Sequence, residues 1–254
     1  MAGKEKMQSI ERTFQLLEFM AANDSTGVRE LHKELGLSTT SVHRMLTTLV
    51  ELGYAQKNME TDKYVLTYKL AAIGNQIMRR NDAVKLVHPE LLLLSEKCRE
   101  TVHFVEREGT EVRYIDIVIS NYGTYSMQSY IGLNLPLFCT AVGKAIMAEL
   151  SQQEVTDIWN QRRDIRYTEK TIQDLDSLLK EIEEIKKYGY AFDNEEREVG
   201  LSCVGVSING YDGMSRYGVS VSGPTNRITG ERLHDICEAL LESKKRISTL
   251  LGWS

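Results

Sequence analysis

LHKELGLSTTSVHRMLTTLVELGY, residues 31–54, decides the architecture of the chain. Val28, Leu31 and Leu35 recur at three- and four-residue spacing before Gly36, and Val42, Leu46 and Leu49 do so after it. That spacing gathers each set into one buried helical stripe, so the segment predicts two short helices joined by a glycine turn. Ser38, Thr39, Thr40, Ser41, His43, Arg44 and Thr47 are left to face elsewhere. Short hydroxyls and a guanidinium at the front of a helix suit base edges in a DNA major groove. Any two amphipathic helices around a glycine share the apolar half of this pattern. The polar face is what favours a helix-turn-helix.

The next residues strengthen that reading. Gly53 stands where a left-handed residue ends a helix. Tyr54–Lys57 and Lys63–Leu66 are short runs of strand type joined by Asn58-Met59-Glu60-Thr61-Asp62, the pattern of a β-wing. Thr39, Thr40, His43 and Arg44 are the candidates for base contact, with Ser38 ahead of them and Thr47 nearer the backbone. Arg44 can donate two bonds to a guanine edge, or instead pair with a phosphate. Lys57 and Lys63 are candidates for phosphate contact, which positions a protein without reading sequence.

The 254 residues suffice for two modest domains. No apolar run approaches the roughly 20 residues that cross a bilayer, and MAGKEKMQSIER has no apolar signal core. Cys98, Cys139, Cys203 and Cys237 are scattered without metal-ligand spacing, as in a reduced cytoplasmic protein. The net charge of −5 looks adverse for a DNA binder until it is divided. Residues 1–82 hold 11 Lys and Arg against 10 Asp and Glu, whereas residues 83–254 hold 20 against 26. The first part is thus +1 and the second −6, so a single subunit can make few phosphate contacts.

Ser9 is placed to cap a first helix reaching about Ala22, with Ile10, Phe14 and Leu17 as its buried stripe. Residues 1–66 are expected to be the winged helix-turn-helix. Residues 67–82 form a linker helix with Leu70, Ile73 and Ile77 on one face, and Asn81-Asp82 a break. Residues 83–254 make the second domain, opening with a helix from Val84 to Cys98. Strand-like runs then come around Thr101–Glu108, Val112–Ser120 and Thr124–Gly132. A helix begins near Thr140, a Ser151–Glu154 capping box starts another, and Thr171–Lys187 is amphipathic up to Gly189. Strands at Tyr190–Asp193, Cys203–Ile208 and Tyr217–Ser222 precede a last helix over Thr229–Leu251. The class is α+β, with helices packed mainly on one sheet face.

GYAFDNEEREVGLSCVGVSI, residues 189–208, resembles the signature of the IclR family of bacterial transcriptional regulators. Gly189, Asp193, Glu196, Cys203 and Gly205 fill its recurring places. LPLFCTAVGKAIMA (135–148) resembles the family's segment before the effector pocket, and YGVSVSGPTNRIT (217–229) its last strand and turn. Asn209-Gly210 departs from the aromatic-then-acidic pair that often closes the signature. The resemblance spans Ser9 to Leu251. It implies a winged helix-turn-helix joined by a linker helix to a GAF-like effector-binding domain. It also implies a dimer or dimer of dimers that binds an inverted-repeat operator and represses or activates a catabolic operon in response to a small organic acid. No cofactor is implied.

Carried onto this chain, the resemblance assigns effector contact to the N–H groups of Ala141 and Val142 and to the side chains of Asp193, Cys203, Ser220 and Ser222. Unpaired N–H groups at a helix start suit a carboxylate, and Ser220 and Ser222, two apart on a strand, share a face. Asp193 would repel a carboxylate, so it suits a ligand hydroxyl or a neighbouring N–H. Lys144 is either a counter-ion or turned away. Leu133, Leu135 and Leu137 suit an apolar wall. Two rivals belong to other classes. A Cys203 enzyme needs a base in reach, and none of His32, His43, His88, His103 and His234 lies in a motif that would bring it there. A metal sensor would have only Cys98 and His103 close in sequence.

Overall fold

The computed structural model describes residues 8–80, 83–122, 129–162 and 165–253. The chain divides into two compact units, Met1–Asn81 and Asp82–Ser254.

In the first unit, helices α1 (Gln8–Ala21), α2 (Val28–Leu35) and α3 (Thr39–Glu51) precede the hairpin β1 (Ala55–Lys57) and β2 (Tyr64–Leu66) and helix α4 (Lys69–Arg80). Gly36 ends α2 at φ +62°, a left-handed turn that glycine takes without a Cβ penalty. Ser38 then caps α3, its hydroxyl oxygen accepting the Ser41 N–H at 3.2 Å. Val42, Leu46 and Leu49 pack with Leu31, Leu37, Ala55 and Tyr64. The wing pairs antiparallel, Ala55 with Leu66 and Lys57 with Tyr64. A bridge between Thr26 and Tyr64 ties it to the α1–α2 connection. The expected stripe of α1 holds only at Leu17, which packs half-buried against this core. Leu16 and Met20 are the buried residues, while Ile10 and Phe14 are 51% and 59% exposed. Ser9 lies within α1 rather than ahead of it, and its carbonyl accepts the Thr13 hydroxyl. On α4, Leu70 is half-buried and Ile73 largely exposed; the Ile77 side chain and the break at 81–82 lie outside the described residues.

The second unit begins with α5 (Ala83–Cys98) and the hairpin β3 (Thr101–Glu108) and β4 (Glu111–Val118). After β5 (Asn134–Pro136) come α6 (Ala141–Met147), α7 (Gln152–Gln161) and α8 (Leu175–Tyr188). The chain continues through β6 (Ala191–Asn194), β7 (Leu201–Asn209), β8 (Ser215–Pro224) and α9 (Gly230–Leu250). The strands form one antiparallel sheet in the order β5-β4-β3-β8-β7-β6. Alternation sends Val204, Val206 and Ile208 of β7, with Val219 and Val221 of β8, to one face, which α5 and α9 cover. The opposite face carries Val105 and Tyr114 and is closed by α6, α7 and α8. Helices therefore cover both faces, not mainly one, because β7 and β8 are apolar on one side and carry mostly small side chains on the other.

Two boundaries also differ. Helix α8 starts at Leu175, since the Asp174 side chain caps it by accepting the Ser177 N–H at 2.8 Å. The Thr171 hydroxyl donates instead to the Glu196 carbonyl at 2.7 Å. The strand expected over 124–132 falls largely on residues 123–128, outside those described. Residues 130–132 form a turn, and the edge strand is β5.

Candidate effector cavity and nucleic-acid interface

Strand register builds the cavity. Asp193, Cys203 and Ser222 stand opposite one another across β6, β7 and β8. Two residues along, Gly205, Ser220 and His103 make the next cross-strand row on the same face. Gly205 and Gly218 leave that face bare enough for the first turn of α6 to rest on the strands. A Cβ on Gly205 would stand 2.4 Å from the Val142 nitrogen, and one on Gly218 2.3 Å from Val142 Cγ2. Thr140 fixes the helix start by donating to the Pro136 carbonyl at 3.0 Å and accepting the Gly143 N–H at 3.2 Å. The N–H groups of Ala141 and Val142 fall in the first turn, where no intrahelical acceptor exists.

All six residues expected to contact an effector line one cavity: Ala141, Val142, Asp193, Cys203, Ser220 and Ser222. About 70 Å³ of it is open to the centre of a water molecule. Tyr114, Ser129, Thr140, Arg197, Glu198 and Leu201 share the lining. Leu133 and Leu135 supply apolar wall, whereas Leu137 is fully buried in the core beside α6. Asp193, 3% exposed, accepts the Glu196 N–H at 2.7 Å. Burial pushes its carboxyl up to about 6, against the pull of Lys144 and of the Glu196 and Arg197 N–H groups.

Lys144 is not a counter-ion for the cavity. Its side chain is fully buried and held by Glu181, Glu196 and the Phe192 carbonyl, the last at 2.8 Å. Burial alone would favour the neutral amine, but Glu196 and Glu181 keep the ammonium charged. Its charge belongs to the packing of α6 against α8 and the segment after β6.

The structure brings a histidine closer to Cys203 than the sequence suggested. The His103 Nδ1 lies 3.4 Å from Ser222 Oγ, and Ser222 is the direct cross-strand neighbour of Cys203. The arrangement is nonetheless unsuited to nucleophilic chemistry. Burial pushes the Cys203 thiol up and holds His103 down at about 4, so the pair stays thiol and neutral imidazole. Cys98, the other half of the metal reading, lies in the core under α9, while His103 lies against Tyr114 with ring centres 4.6 Å apart and the rings tilted by 39°. No group of three or more His, Cys, Asp or Glu residues among those described is placed to hold a metal ion.

In the first unit, Thr39, Thr40, His43, Arg44 and Thr47 line one open groove along α3, together with Val28, Thr48 and Glu51. Thr48 and Glu51 lie one helical turn beyond Arg44 and Thr47, and the sequence reading does not include them. Ser38 has its hydroxyl engaged in the cap. Lys57 and Lys63 stand on the wing, each holding an acid: Asp62 at 2.7 Å and Glu30 at 3.1 Å. Exposed pairs of this kind contribute little and exchange readily for a phosphate.

Comparison with known proteins agrees with both units. A model of the IclR helix-turn-helix domain matches residues 9–58, and one of the bacterial transcriptional regulator IclR C-terminal domain matches residues 75–249. The HTH-type transcriptional regulator KdgR of Escherichia coli (strain K12) is 31% identical over 249 residues, covering 98% of this chain and 94% of that protein. The transcriptional repressor IclR of the same organism is 29% identical over 250 residues, covering 97% and 91%. The crystal structure of the Thermotoga maritima IclR, 31% identical, covers 98% of this chain and all of that one with a TM-score of 0.66.

A winged helix-turn-helix preceding an α/β unit of this topology is the build of a DNA-binding transcriptional regulator, not of an enzyme. The chain belongs to the IclR family of bacterial transcriptional regulators. No helix among the described residues is long and apolar enough to cross a membrane.

Proposed function

We propose that this protein represses a catabolic operon by binding an inverted-repeat operator as a homodimer or dimer of dimers, and that a small organic acid such as a keto acid controls it. The observation that supports the effector most is convergence. Two serine hydroxyls, a thiol, a carboxyl and two first-turn N–H groups meet in one small cavity, walled by Leu133 and Leu135. Few convergent polar groups in an otherwise apolar site are how a protein orients a small ligand. The cavity suits a ligand of a few heavy atoms, with its carboxyl carbon near α6 and its oxo or hydroxyl oxygen near Ser220, Ser222 and Asp193. The groove of α3 supports base contact by Thr39, Thr40, His43 and Arg44, with Thr47, Lys57 and Lys63 toward phosphates and Ser38 holding the helix start. Similarity to a relative named as a transcriptional repressor favours repression over activation.

Effector control requires that the ligand bind the DNA-competent and DNA-released states with different affinity. A thermal-shift screen of two- to six-carbon oxo and hydroxy acids tests the reading. At least one acid should raise the melting temperature of the full chain and change its affinity for operator DNA selected from a genomic library. The paired substitution Ser220→Ala and Ser222→Ala should remove both responses. Binding that survives this pair unchanged would place the effector elsewhere.

A further inference from the structure

Cations elsewhere near the core of the second unit are matched by acids. Lys144 is held by Glu181 and Glu196, Arg227 and Arg232 by the buried Glu100, and Arg113 by Glu106 and Glu108. Arg197 differs. Among the described residues lining the cavity it alone carries a positive charge, and no described carboxylate stands within ion-pair distance of its guanidinium. That group lies over the Tyr167 ring, 4.3 Å from its centre. Its Nε–H, like those of Arg113 and Arg227, is buried with no acceptor among the described residues, but Arg197 has no acid paired with it as those two do. A buried donor in this state has lost its hydration without replacement, and a bound acid is the natural acceptor.

The other hydroxyl and N–H donors of the cavity do not discriminate by charge, and its two carboxyl side chains, Asp193 and Glu198, oppose an anion rather than attract one. Ser220, Ser222 and backbone N–H groups bond to a neutral carbonyl or amide as well as to a carboxylate. The Asp193 carboxyl is engaged with main-chain N–H groups of the Glu196–Arg197 turn, which holds the backbone of Arg197 beside the cavity. A guanidinium, by contrast, is always charged and presents a planar fork of donors that fits a carboxylate.

We infer that Arg197 is the specificity-determining residue of the cavity, taking the effector's carboxylate against its guanidinium and so restricting the ligand class to anions. This rests on the small-acid reading above and adds to it the group that rejects neutral analogues. It predicts a preference for an acid over its own amide, a pair alike in size and differing in charge.

The test is calorimetric titration of the full chain with glyoxylate, pyruvate and 2-oxobutyrate, each beside its primary amide. The variants are Arg197→Gln, Arg197→Lys and the Ser220→Ala, Ser222→Ala pair. Wild type should bind at least one acid more than about tenfold tighter than its amide, the scale of one charge-assisted hydrogen bond. Arg197→Gln should bring that ratio near one by weakening the acid, and Arg197→Lys should restore part of it. A merely structural role for Arg197 would lower the melting temperature of the ligand-free protein and leave the ratio intact, which overturns the inference. Should Arg197→Gln fail to fold, the wild-type ratio and Arg197→Lys decide: equal binding of acid and amide by wild type overturns it. The underlying reading fails differently. If no acid binds wild type, or the serine pair changes nothing, the cavity is not the effector site, and the inference falls with it.

Discussion

Asp193 shows at the residue scale how a site is held against the preference of the fold. The carboxyl is buried between Cys203 and the Glu196–Arg197 turn, and burial lifts it from 3.8 to about 6. Because the folded state binds this proton more tightly than the unfolded chain, its contribution is full below about pH 4. It is lost as pH rises through about 6. At neutral pH the ionised form is therefore a liability of about 2–3 kcal/mol, the scale of a two-unit shift that already includes the pull of the N–H donors. Asp193→Asn keeps an oxygen to accept the Glu196 N–H and removes the charge. Its melting temperature should rise above wild type near pH 8, with the gap shrinking toward zero as pH falls to about 4. Thermal unfolding across that pH series checks the sign, and a gap that widened on acidification would refute the burial argument. Arg197 illustrates the opposite situation. It sits in DNEERE, residues 193–198, where one Arg among acids looks like part of a solvated charge run. Only the turn after β6 reveals that its neighbours are paired elsewhere, Glu196 with Lys144 and Glu195 with Lys170.

At the scale of elements, the decisive contact is α6 on β7. The cavity exists because the first turn of α6 lies on a strand face that carries no side chain at Gly205 and Gly218. Gly205→Ala would bring a methyl to 2.4 Å from backbone nitrogen, and neither backbone can swing aside as a flexible side chain does. Overpacking of this kind costs typically about 1–3 kcal/mol. The expected result is a melting temperature lowered by several degrees and effector binding lost, since α6 must lift away from Cys203 and Ser220. A variant that melts and binds like wild type would show that α6 has slack. The same contact explains what could be read in advance. Glycine stops, the Thr140 start and the Ser151 capping box are local signals, so α2, α3, the wing, α6 and α7 were legible. The extent of α1 was legible too, but its buried face only in part: Leu17 packs on the core whereas Ile10 and Phe14 do not, and only tertiary contact selects Leu16 and Met20 in their place. The six cavity residues were reached through the family pattern, whereas His103 was missed. A lone histidine on β3 gives no sign of facing Ser222 until the β3–β8 register is known.

For the whole molecule, charge sets how operator binding can be achieved. The chain carries −5, and the segment that holds the winged helix-turn-helix only +1. Of the cations assigned to the interface, Arg44 lines the groove of α3 while Lys57 and Lys63 stand on the wing, where they must first leave Asp62 and Glu30. Three cations on each of two subunits make at most about six phosphate contacts, and each contributes about −0.9 to the slope of log affinity against log salt. The slope for a selected operator should thus be about −5 or shallower. Replacing both Lys57 and Lys63 by alanine should make it shallower by about 2 to 4 while leaving the preferred sequence unchanged, because phosphate contacts carry no sequence information. So shallow an electrostatic contribution leaves one subunit weakly bound, and two linked subunits gain by acting at high effective concentration on adjoining half-sites. Affinity should accordingly collapse when the protein is diluted below its own subunit dissociation constant, and half-site DNA should bind at least about 100-fold more weakly than the full inverted repeat. Fluorescence anisotropy on whole and half operators over a salt series measures all three quantities. A slope near about −10, the steepness of a contact-rich interface, or equal affinity for half and whole sites, would mean that cations outside the α3 groove and wing carry the binding and that the proposed interface is misplaced.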